Sequence, residues 1–452
     1  MAAPLTPPLS LTMPRVKLLD YGKVLWQCAK NIIHAAWAWL SYLALGMPAR
    51  GLYLIGITGT DGKTTTTHLL AEVLANVWGR KRVGLLSTTS FWLGEQQEEN
   101  ETKLTTLPSF LVWQLLRRMR KRGVKYVVIE VSSHALAQHR LLPLCWDGAI
   151  WLNLAREHLD YHRTMANYAR AKSRLWRRVR RGGWLVGNMD DVWVRYYCQQ
   201  LSRARQCTFT LKKVPASVRG KILQGVPKLV LEAAINDTRL KISTRLCGSG
   251  HAENVLATLA AGKCMRLPLA QMQAAIAGFR GVPGRWEVIA LPRAPFTVVI
   301  DYAVTPHAFH ALYRTAHAWQ KKHGREGRII HVFGAAGERD RGKRPLLGAI
   351  AARHADLIVL TDEDPFGENP DGIVRDIARG IRKARGQSVR WCIIRSRRRA
   401  IFWALKQARP GDLVLLTGKG AETCMVYGRQ RIPWREGEEV RKAWRLLRKE
   451  RA

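Results

Sequence analysis

The stretch LYLIGITGTDGKTTTTHLLAEVLANV, residues 52–77, constrains this chain more than any other. An apolar run of strand length ends in a glycine-bearing loop and passes directly into a helix-like pattern, the order strand, loop, helix. In that order the loop amides and the helix N-terminus converge on one point and attract an anion, phosphate above all. Gly59, Thr60, Asp61, Gly62, Lys63, Thr64 and Thr65 are therefore candidates for holding a nucleotide. Lys63 would reach its β- and γ-phosphates, and the Thr64 hydroxyl would meet Mg2+. The spacing is tighter than GxxxxGK[ST], because position 57 is isoleucine and the first glycine of the loop is Gly59.

One such unit cannot cover both faces of its own strand, so further strands must follow. The runs RVGLLS (82–87), KYVVIEV (125–131), GAIWLN (148–153) and GWLVGN (183–188) alternate with helix-length stretches. That alternation predicts an α/β fold with a doubly wound sheet around the phosphate-binding loop. Residues 201–245, with Pro215 and Pro227, read as short antiparallel strands added to this sheet, and a helix resumes near Ala252. At GVPGRWE (281–287) glycine and proline break any regular element just before a new strand, which predicts a hinge. The strands expected beyond it are VVIDY, RIIHVFG, LIVLT, WCIIR and LVLLTG, giving a second, Rossmann-like domain. A chain of 452 residues, 47% of them hydrophobic, can fill more than one such core. The division expected is an N-terminal helical segment at 1–50, a central domain at 51–284 and a C-terminal domain at 285–452.

The N-terminal segment carries VLWQCAKNIIHAAWAWLSYLAL (24–45), interrupted by Gln27, Lys30, Asn31 and His34. It is too broken for a membrane span, and it lacks the small-residue cleavage site of a signal peptide. We expect an amphipathic helix that packs on the next domain and covers Trp26, Trp37 and Trp39. The alternative is a helix at a membrane surface, with Arg15, Lys17, Lys23 and Lys30 towards anionic headgroups. The net charge of +40 also raises nucleic acid as a partner, through runs such as 170–181, where seven of twelve residues are basic, and 395–399. These runs lie on predicted helices and loops without the aromatic interleaving of single-strand binders, so solvated basic faces are expected and no specific nucleic acid. Eight cysteines without a CxxC pair argue against a zinc ribbon or a disulfide scaffold, and fit a reducing cytoplasm.

Two more constellations follow predicted strands. Glu130 opens EVSSHAL (130–136) at the carboxyl end of a strand, where doubly wound sheets present ligand-binding groups, and is placed for a metal. Downstream, NLAREHLDYH (153–162) puts Glu157, His158, Asp160 and His162 within six residues. Two histidines and two carboxylates so close, beyond a phosphate loop, suit a metal–phosphate site.

In sequence order, GTDGKTT, EVSSHAL, NLAREHLDYH with ANYARAK (166–172), GHAENVLATLAA (250–261), GVPGRWE, DYAVTP (301–306), FGAAGERDRGKRP (333–345), DEDPFGENP (362–370) and TGKGAE (417–422) resemble the Mur ligase family. The resemblance covers about residues 51–450 and is strongest to members that add the third amino acid to UDP-N-acetylmuramoyl-dipeptide in peptidoglycan precursor synthesis. It implies a cytoplasmic, monomeric, ADP-forming ligase that uses ATP and Mg2+ and works through an acyl phosphate. By the family pattern, Thr64 and Glu130 hold one Mg2+ and His158 helps with a second. Lys172 matches the lysine that the family carbamylates. Asn254 matches an adenine contact, Asp301 a ribose contact, and Arg285 would approach the γ-phosphate on domain closure. Thr105, Thr106, Ser132, Gln138 and Arg140 match contacts to the muramoyl peptide. Arg339 matches the residue that binds the acceptor's α-carboxylate, with Gly418 and Glu422 at its distal end.

The departures from the pattern carry information too. Val304 stands where the family usually has His, Leu107 is inserted after the two threonines, and Ala421 replaces a usual His. Glu363-Asp364-Pro365-Phe366 replaces an Asp-Asn-Pro-Arg pattern in which Arg pairs with the distal carboxylate of meso-diaminopimelate. Phe366 cannot form that pair, while two acids suit a distal ammonium, so the expected acceptor is a diamino acid with L-lysine first. Only fifty residues precede the first strand, where the resemblance expects a uridine-binding domain of roughly a hundred. A reduced surface for the uridine diphosphate is expected, the alternative donor being another muramoyl-type or lipid-linked carboxylate. Two other functions remain open at this point: an amide ligase of the folylpolyglutamate synthase kind, and a nucleic-acid-binding P-loop NTPase.

Overall fold

The computed structural model describes residues 18–201, 204–323, 327–384 and 389–451; Arg15 and Lys17 lie outside them. Except for the partly exposed edge strand at Arg390–Ile393, the apolar runs become largely buried strands, as parallel strands under covering helices must be. The first sheet comprises β1 (Tyr53–Thr58), β2 (Val83–Leu86), β3 (Ser90–Leu93), β4 (Gln96–Glu99), β5 (Tyr126–Glu130), β6 (Trp146–Trp151), β7 (Val179–Asn188), β8 (Arg205–Thr210), β9 (Val218–Gln224), β10 (Val230–Ile235) and β11 (Thr238–Ser243). Their order is β11-β10-β9-β8-β7-β6-β1-β5-β2-β3-β4. β1 runs parallel to β5 on one side and β6 on the other. The loops after these three strands therefore open together at a topological switch point, the place where open α/β sheets bind ligands.

The expected antiparallel addition after residue 201 is corrected at its start. β8 pairs parallel with both β7 and β9, and beyond it the antiparallel pairings are those of β9 with β10 and β10 with β11. The reason is burial: Cys207 and Phe209 of β8 pack in the same core as Val255, Leu256 and Leu259 of the helix His251–Cys264, so this strand continues the covered sheet.

The second sheet comprises β12 (Glu287–Ile289), β13 (Thr297–Asp301), β14 (Ile329–Phe333), β15 (Leu357–Leu360), β16 (Arg390–Ile393) and β17 (Leu413–Thr417), in the order β12-β13-β17-β14-β15-β16. All its pairings are parallel except β12 with β13. Between the sheets Gly284 has φ of 69°, and a Cβ there would sit 2.3 Å from the Ala421 amide nitrogen. The hinge backbone thus lies directly on the 418–422 turn, and only glycine allows that approach.

Of the helices, α1 (Leu18–Ala44), α2 (Lys63–Trp78) and α3 (Ser109–Lys121) matter most here. α1 packs on α3, and Trp113 donates from Nε1 to the Ala38 carbonyl at 3.1 Å. Packing, however, does not cover the tryptophans: Trp26, Trp37 and Trp39 are 64%, 57% and 47% exposed. Among the described side chains of the helix, Ala38 and Ser41 are the buried ones, because the side facing the protein is made of small and polar residues. No helix among the described residues is long and apolar enough to cross a membrane.

The 418–422 turn is held from below by one buried ion pair. Arg397 and Glu436 are fully buried, the Arg397 Nε lies 3.1 and 3.0 Å from the two Glu436 oxygens, and Nη2 donates to the Thr417 carbonyl at 2.8 Å. Removing one partner leaves an uncompensated charge in the core. Glu436→Ala should lower unfolding stability by about 3–5 kcal/mol, read as a shift in the urea midpoint. A loss below about 1 kcal/mol, the scale of an exposed pair, would show that this pair does not hold the turn.

Candidate active site

The loop after β1 is shaped by side chains from two other elements. Asn153, just beyond β6, accepts from the amides of Thr60 and Asp61 at 3.0 Å each through Oδ1. Gly62 has φ of 81°, and a Cβ on it would meet Asn254 Oδ1 at 2.4 Å, so the helix carrying Asn254 closes directly over the loop. Thr66 donates to the same Asn254 oxygen at 3.2 Å, while Thr65 is buried beside it. Lys63 turns its ammonium back onto the Thr60 carbonyl at 2.7 Å. Thr64 donates to Glu130 Oε1 at 3.0 Å, and Glu130 Oε2 accepts from the Thr88 amide and hydroxyl at 2.9 Å each.

Gly59 carries the most unusual contact. Lys172, on the helix Met165–Arg177, is 1% exposed and donates to the Gly59 carbonyl at 2.7 Å and to Thr58 Oγ1 at 3.4 Å. Its ammonium lies 4.6 Å from the Tyr168 ring centroid. Burial first, and the nearby Lys63 charge second, push the Lys172 pKa well down, which favours the neutral amine. His158, in a left-handed conformation (φ 55°), is held neutral in the same way, by burial, His134 and Lys172. His134 and His162 are pushed down to about 4 and about 3, burial being the largest cause for both. The three imidazoles pack against one another with ring centroids 4.6 and 5.5 Å from that of His134.

Among the described residues, no three His, Cys, Asp or Glu side chains are arranged to hold a metal alone. Thr64 and Glu130 offer adjacent oxygen donors, the set that Mg2+ accepts when phosphate and water supply its remaining ligands. A neutral His158 likewise keeps a lone pair for an ion. The residues fit a metal shared with a nucleotide.

On the β5 side the expected donor contacts gather. Thr106 donates to the Glu130 carbonyl at 3.1 Å and accepts from the Ser132 amide at 2.9 Å. Arg140 donates to the Thr106 carbonyl at 2.9 Å. Ser132 also caps the helix Ser133–Ala137, Gln138 touches the Tyr161 hydroxyl, and half-buried Thr105 adjoins Thr106.

The second sheet faces this assembly across a cleft. Arg285 reaches Thr64 Oγ1 at 3.4 Å while its guanidinium lies over the Tyr302 ring at 4.3 Å. Asp301 accepts from the Trp286 amide at 2.7 Å, and burial pushes its pKa up. Asp61 accepts from Thr305 at 3.3 Å and pairs with His307 Nδ1 at 2.9 Å. Val304 offers no polar contact, but His307, three residues on, brings an imidazole to the phosphate loop. Lys343 pairs with Glu157 at 2.8 Å, both buried.

Deeper in the second sheet, Asp364 receives Lys103 at 2.7 Å and Lys419 at 2.9 Å, and Glu422 receives Lys103 at 3.1 Å and Tyr302 at 3.2 Å. Glu363 beside them is pushed up to about 7 by burial and by Asp364. A Cβ on Gly418 would lie 2.4 Å from the Glu363 carboxylate. Arg339 is exposed, its guanidinium 5.8 Å from the Phe366 ring centroid. Sequence reasoning missed Lys103, His307, Lys343, Tyr302 and Lys419. The last four stand inside or next to motifs already singled out; Lys103, in the polar loop ENETKL, carries no local signal.

Gly62→Ala would place a Cβ against Asn254 in a conformation that costs L-residues about 1–3 kcal/mol. ADP affinity should fall by about tenfold or more, measured by titration calorimetry on protein with unchanged circular dichroism. Unchanged affinity would show that this loop does not cradle the nucleotide.

Comparison with known proteins matches the same halves. Residues 57–262 match the Mur ligase middle domain, and residues 284–420 match the Mur ligase glutamate ligase domain. The chain is 37% identical over 417 residues to a UDP-N-acetylmuramyl-tripeptide synthetase of Roseiflexus sp., covering 88% of this chain and 79% of that protein. It is 39% identical over 401 residues to a UDP-N-acetylmuramoyl-L-alanyl-D-glutamate–2,6-diaminopimelate ligase of Thermosynechococcus vestitus, covering 88% and 77%. A solved structure of a ligase of the latter name superposes with a TM-score of 0.59 at 28% identity, over 93% of this chain and 83% of that one. With both domain models matched in order and relatives at 37% and 39% identity over 88% of its length, the chain belongs to the Mur ligase family.

Proposed function

We propose that this chain is an ATP-dependent, ADP-forming ligase that joins a diamino acid, as third residue, to UDP-N-acetylmuramoyl-dipeptide in peptidoglycan precursor synthesis. The observation that carries the reading is the facing of two assemblies across one cleft: the phosphate loop with Glu130 and buried Lys172 on one wall, and the charged pocket of Glu363, Asp364 and Glu422 on the other. The donor carboxylate takes the γ-phosphoryl group of ATP, and ADP leaves. The amine then attacks the acyl carbon, phosphate departs with the bonding electrons, and the amine proton is released.

The roles follow from where the side chains stand. The amides of 59–65 and the Lys63 ammonium would hold the phosphates, Asn254 and Asp301 the nucleoside, and Arg285 the transferred group as the lobes close. Thr106, Ser132, Gln138, Arg140 and Thr105 would seat the donor, with Arg339, Gly418 and Glu422 for the acceptor. Mg2+ bound at Thr64 and Glu130, with a second ion at His158, would neutralise charge on the phosphoryl oxygens. A neutral amine is the form that adds carbon dioxide, so the buried Lys172 is suited to carbamylation, which turns it into an anion directed at that ion.

Part of each basic run is paired within the protein while Arg170, Arg177, Arg180, Arg181 and Arg399 stay exposed, the pattern of solvated basic faces. Arg395, Arg397 and Arg398 pair with Asp362, Glu436 and Glu439. Arg174 donates to the carbonyls of Leu136 and Ala137 at 3.2 and 3.0 Å. A monomeric cytoplasmic enzyme is the reading adopted.

Two outcomes test the site. Lys172→Ala should lose nearly all ligation and regain part of it with millimolar acetate or formate, read as phosphate release; near wild-type turnover without rescue would exclude carbamylation. For the acceptor, L-lysine and then ornithine should outcompete meso-diaminopimelate in a mixed-substrate assay. Burying the second carboxylate of diaminopimelate unpaired beside Phe366 should cost on the order of 2–5 kcal/mol. One observation favours the opposite choice: Lys103 already pairs with Asp364 and Glu422, and its ammonium could receive that carboxylate instead. Preference for diaminopimelate, lost in Lys103→Ala, would establish that second reading.

A further inference from the structure

α1 is amphipathic in the reverse sense to a helix that belongs to a core. Trp26, Ile33, Trp37 and Leu40 repeat at helical spacing along its outer side and are 64%, 66%, 57% and 63% exposed. Ile32 and Trp39 widen the stripe and are also exposed. The side towards the protein carries Gln27, Asn31, His34, Ala38 and Ser41, all at least partly covered. A surface helix normally turns its apolar stripe inward and its polar residues to water, so this stripe is made for something other than water. Three tryptophans in it match the preference of the indole ring for the boundary between headgroups and acyl chains.

The charge around the stripe selects the occupant. Residues 21–50 contain no aspartate or glutamate, and they carry Lys23, Lys30 and Arg50. Lys30 lies with its ammonium 5.0 Å from the Trp26 ring centroid. At the other end, exposed Arg120 of α3 donates to the Met47 carbonyl at 3.1 Å. A second copy of a chain of net charge +40 would bring like charge to a basic rim, whereas an anionic bilayer brings the opposite charge to that rim and an apolar layer to the stripe. We propose that α1 is a membrane-surface helix whose Trp26–Leu40 stripe enters the headgroup boundary of an anionic lipid bilayer. The inner stripe then has its own consequence. Gln27 donates to the Tyr161 hydroxyl at 3.2 Å, next to Gln138 and Arg140, so docking sets the donor side of the cleft close to the membrane.

The test uses the full chain with sedimented vesicles of phosphatidylglycerol and phosphatidylcholine, or phosphatidylcholine alone, at low and physiological salt. The comparison is wild type against the double variant Trp37→Glu, Leu40→Glu, whose side chains are exposed and outside the cleft. Wild type should sediment with the anionic vesicles at physiological salt, with tryptophan emission shifted to the blue. The variant should bind at least tenfold more weakly and keep wild-type thermal unfolding and phosphate release. Equal binding by both proteins would overturn the proposal and assign the attraction to net charge alone. Absence of vesicle binding by a wild type that sediments as a dimer, and becomes monomeric in the variant, would overturn it in favour of a second copy on the stripe.

Discussion

A lysine amine buried beneath the phosphate loop sets the terms for the rest of this molecule. Lys172 has no ion-pair partner among the described residues; it is held by the Gly59 carbonyl and Thr58 hydroxyl and lies over Tyr168. A cation in such a place is costly, and burial, followed by the Lys63 charge, pushes the Lys172 pKa well down. The same burial keeps His134, His158 and His162 unprotonated, so a dense group of basic residues presents lone pairs instead of charge.

Against that neutral floor, the walls of the cleft are strongly charged and complementary. Asp61 meets Thr305 and His307, Glu157 meets Lys343, and Asp364 with Glu422 meets Lys103, each pair joining the first sheet's lobe to the second. Arg285 spans the hinge to Thr64. These contacts join the two lobes, and the low local dielectric between them strengthens each one. In the proposed reaction, the transferred phosphoryl group, the donor carboxylate and the acceptor amine would meet between these walls. Some basic residues of the charged runs, Arg174, Arg395, Arg397 and Arg398, are paired with acids or carbonyls in the fold, while the excess of +40 stays on the surface.

What the sequence revealed follows from which signals are local. The phosphate loop was legible because its strand, glycines, Lys63 and helix are contiguous, and Glu130 because it ends a strand beside that loop. The strands at 53–58, 83–86, 126–130 and 146–151 follow their apolar runs closely. Lys103 was not legible, since its partners are 261 and 319 residues away along the chain and only the fold brings them together. His307 was hidden by attention to Val304, where the family pattern places a histidine. β8 was misassigned because alternation of polar and apolar residues does not reveal which way a strand runs. The outward turn of α1 was legible only as the alternative reading, because periodicity defines an apolar face without saying whether a protein core or another medium receives it.

The central claim is that ATP is spent on activating a carboxylate whose acyl group passes to an amine. The most direct measurement supplies UDP-N-acetylmuramoyl-dipeptide labelled with oxygen-18 in the glutamyl side-chain carboxylate, together with ATP and the preferred acceptor, and follows the label by mass spectrometry. An acyl phosphate loses one carboxylate oxygen to the departing phosphate. The account therefore predicts one labelled oxygen in each phosphate released, with ADP, phosphate and tripeptide formed in equal amounts. Unlabelled phosphate, or ATP hydrolysis that proceeds without amide product, would contradict it.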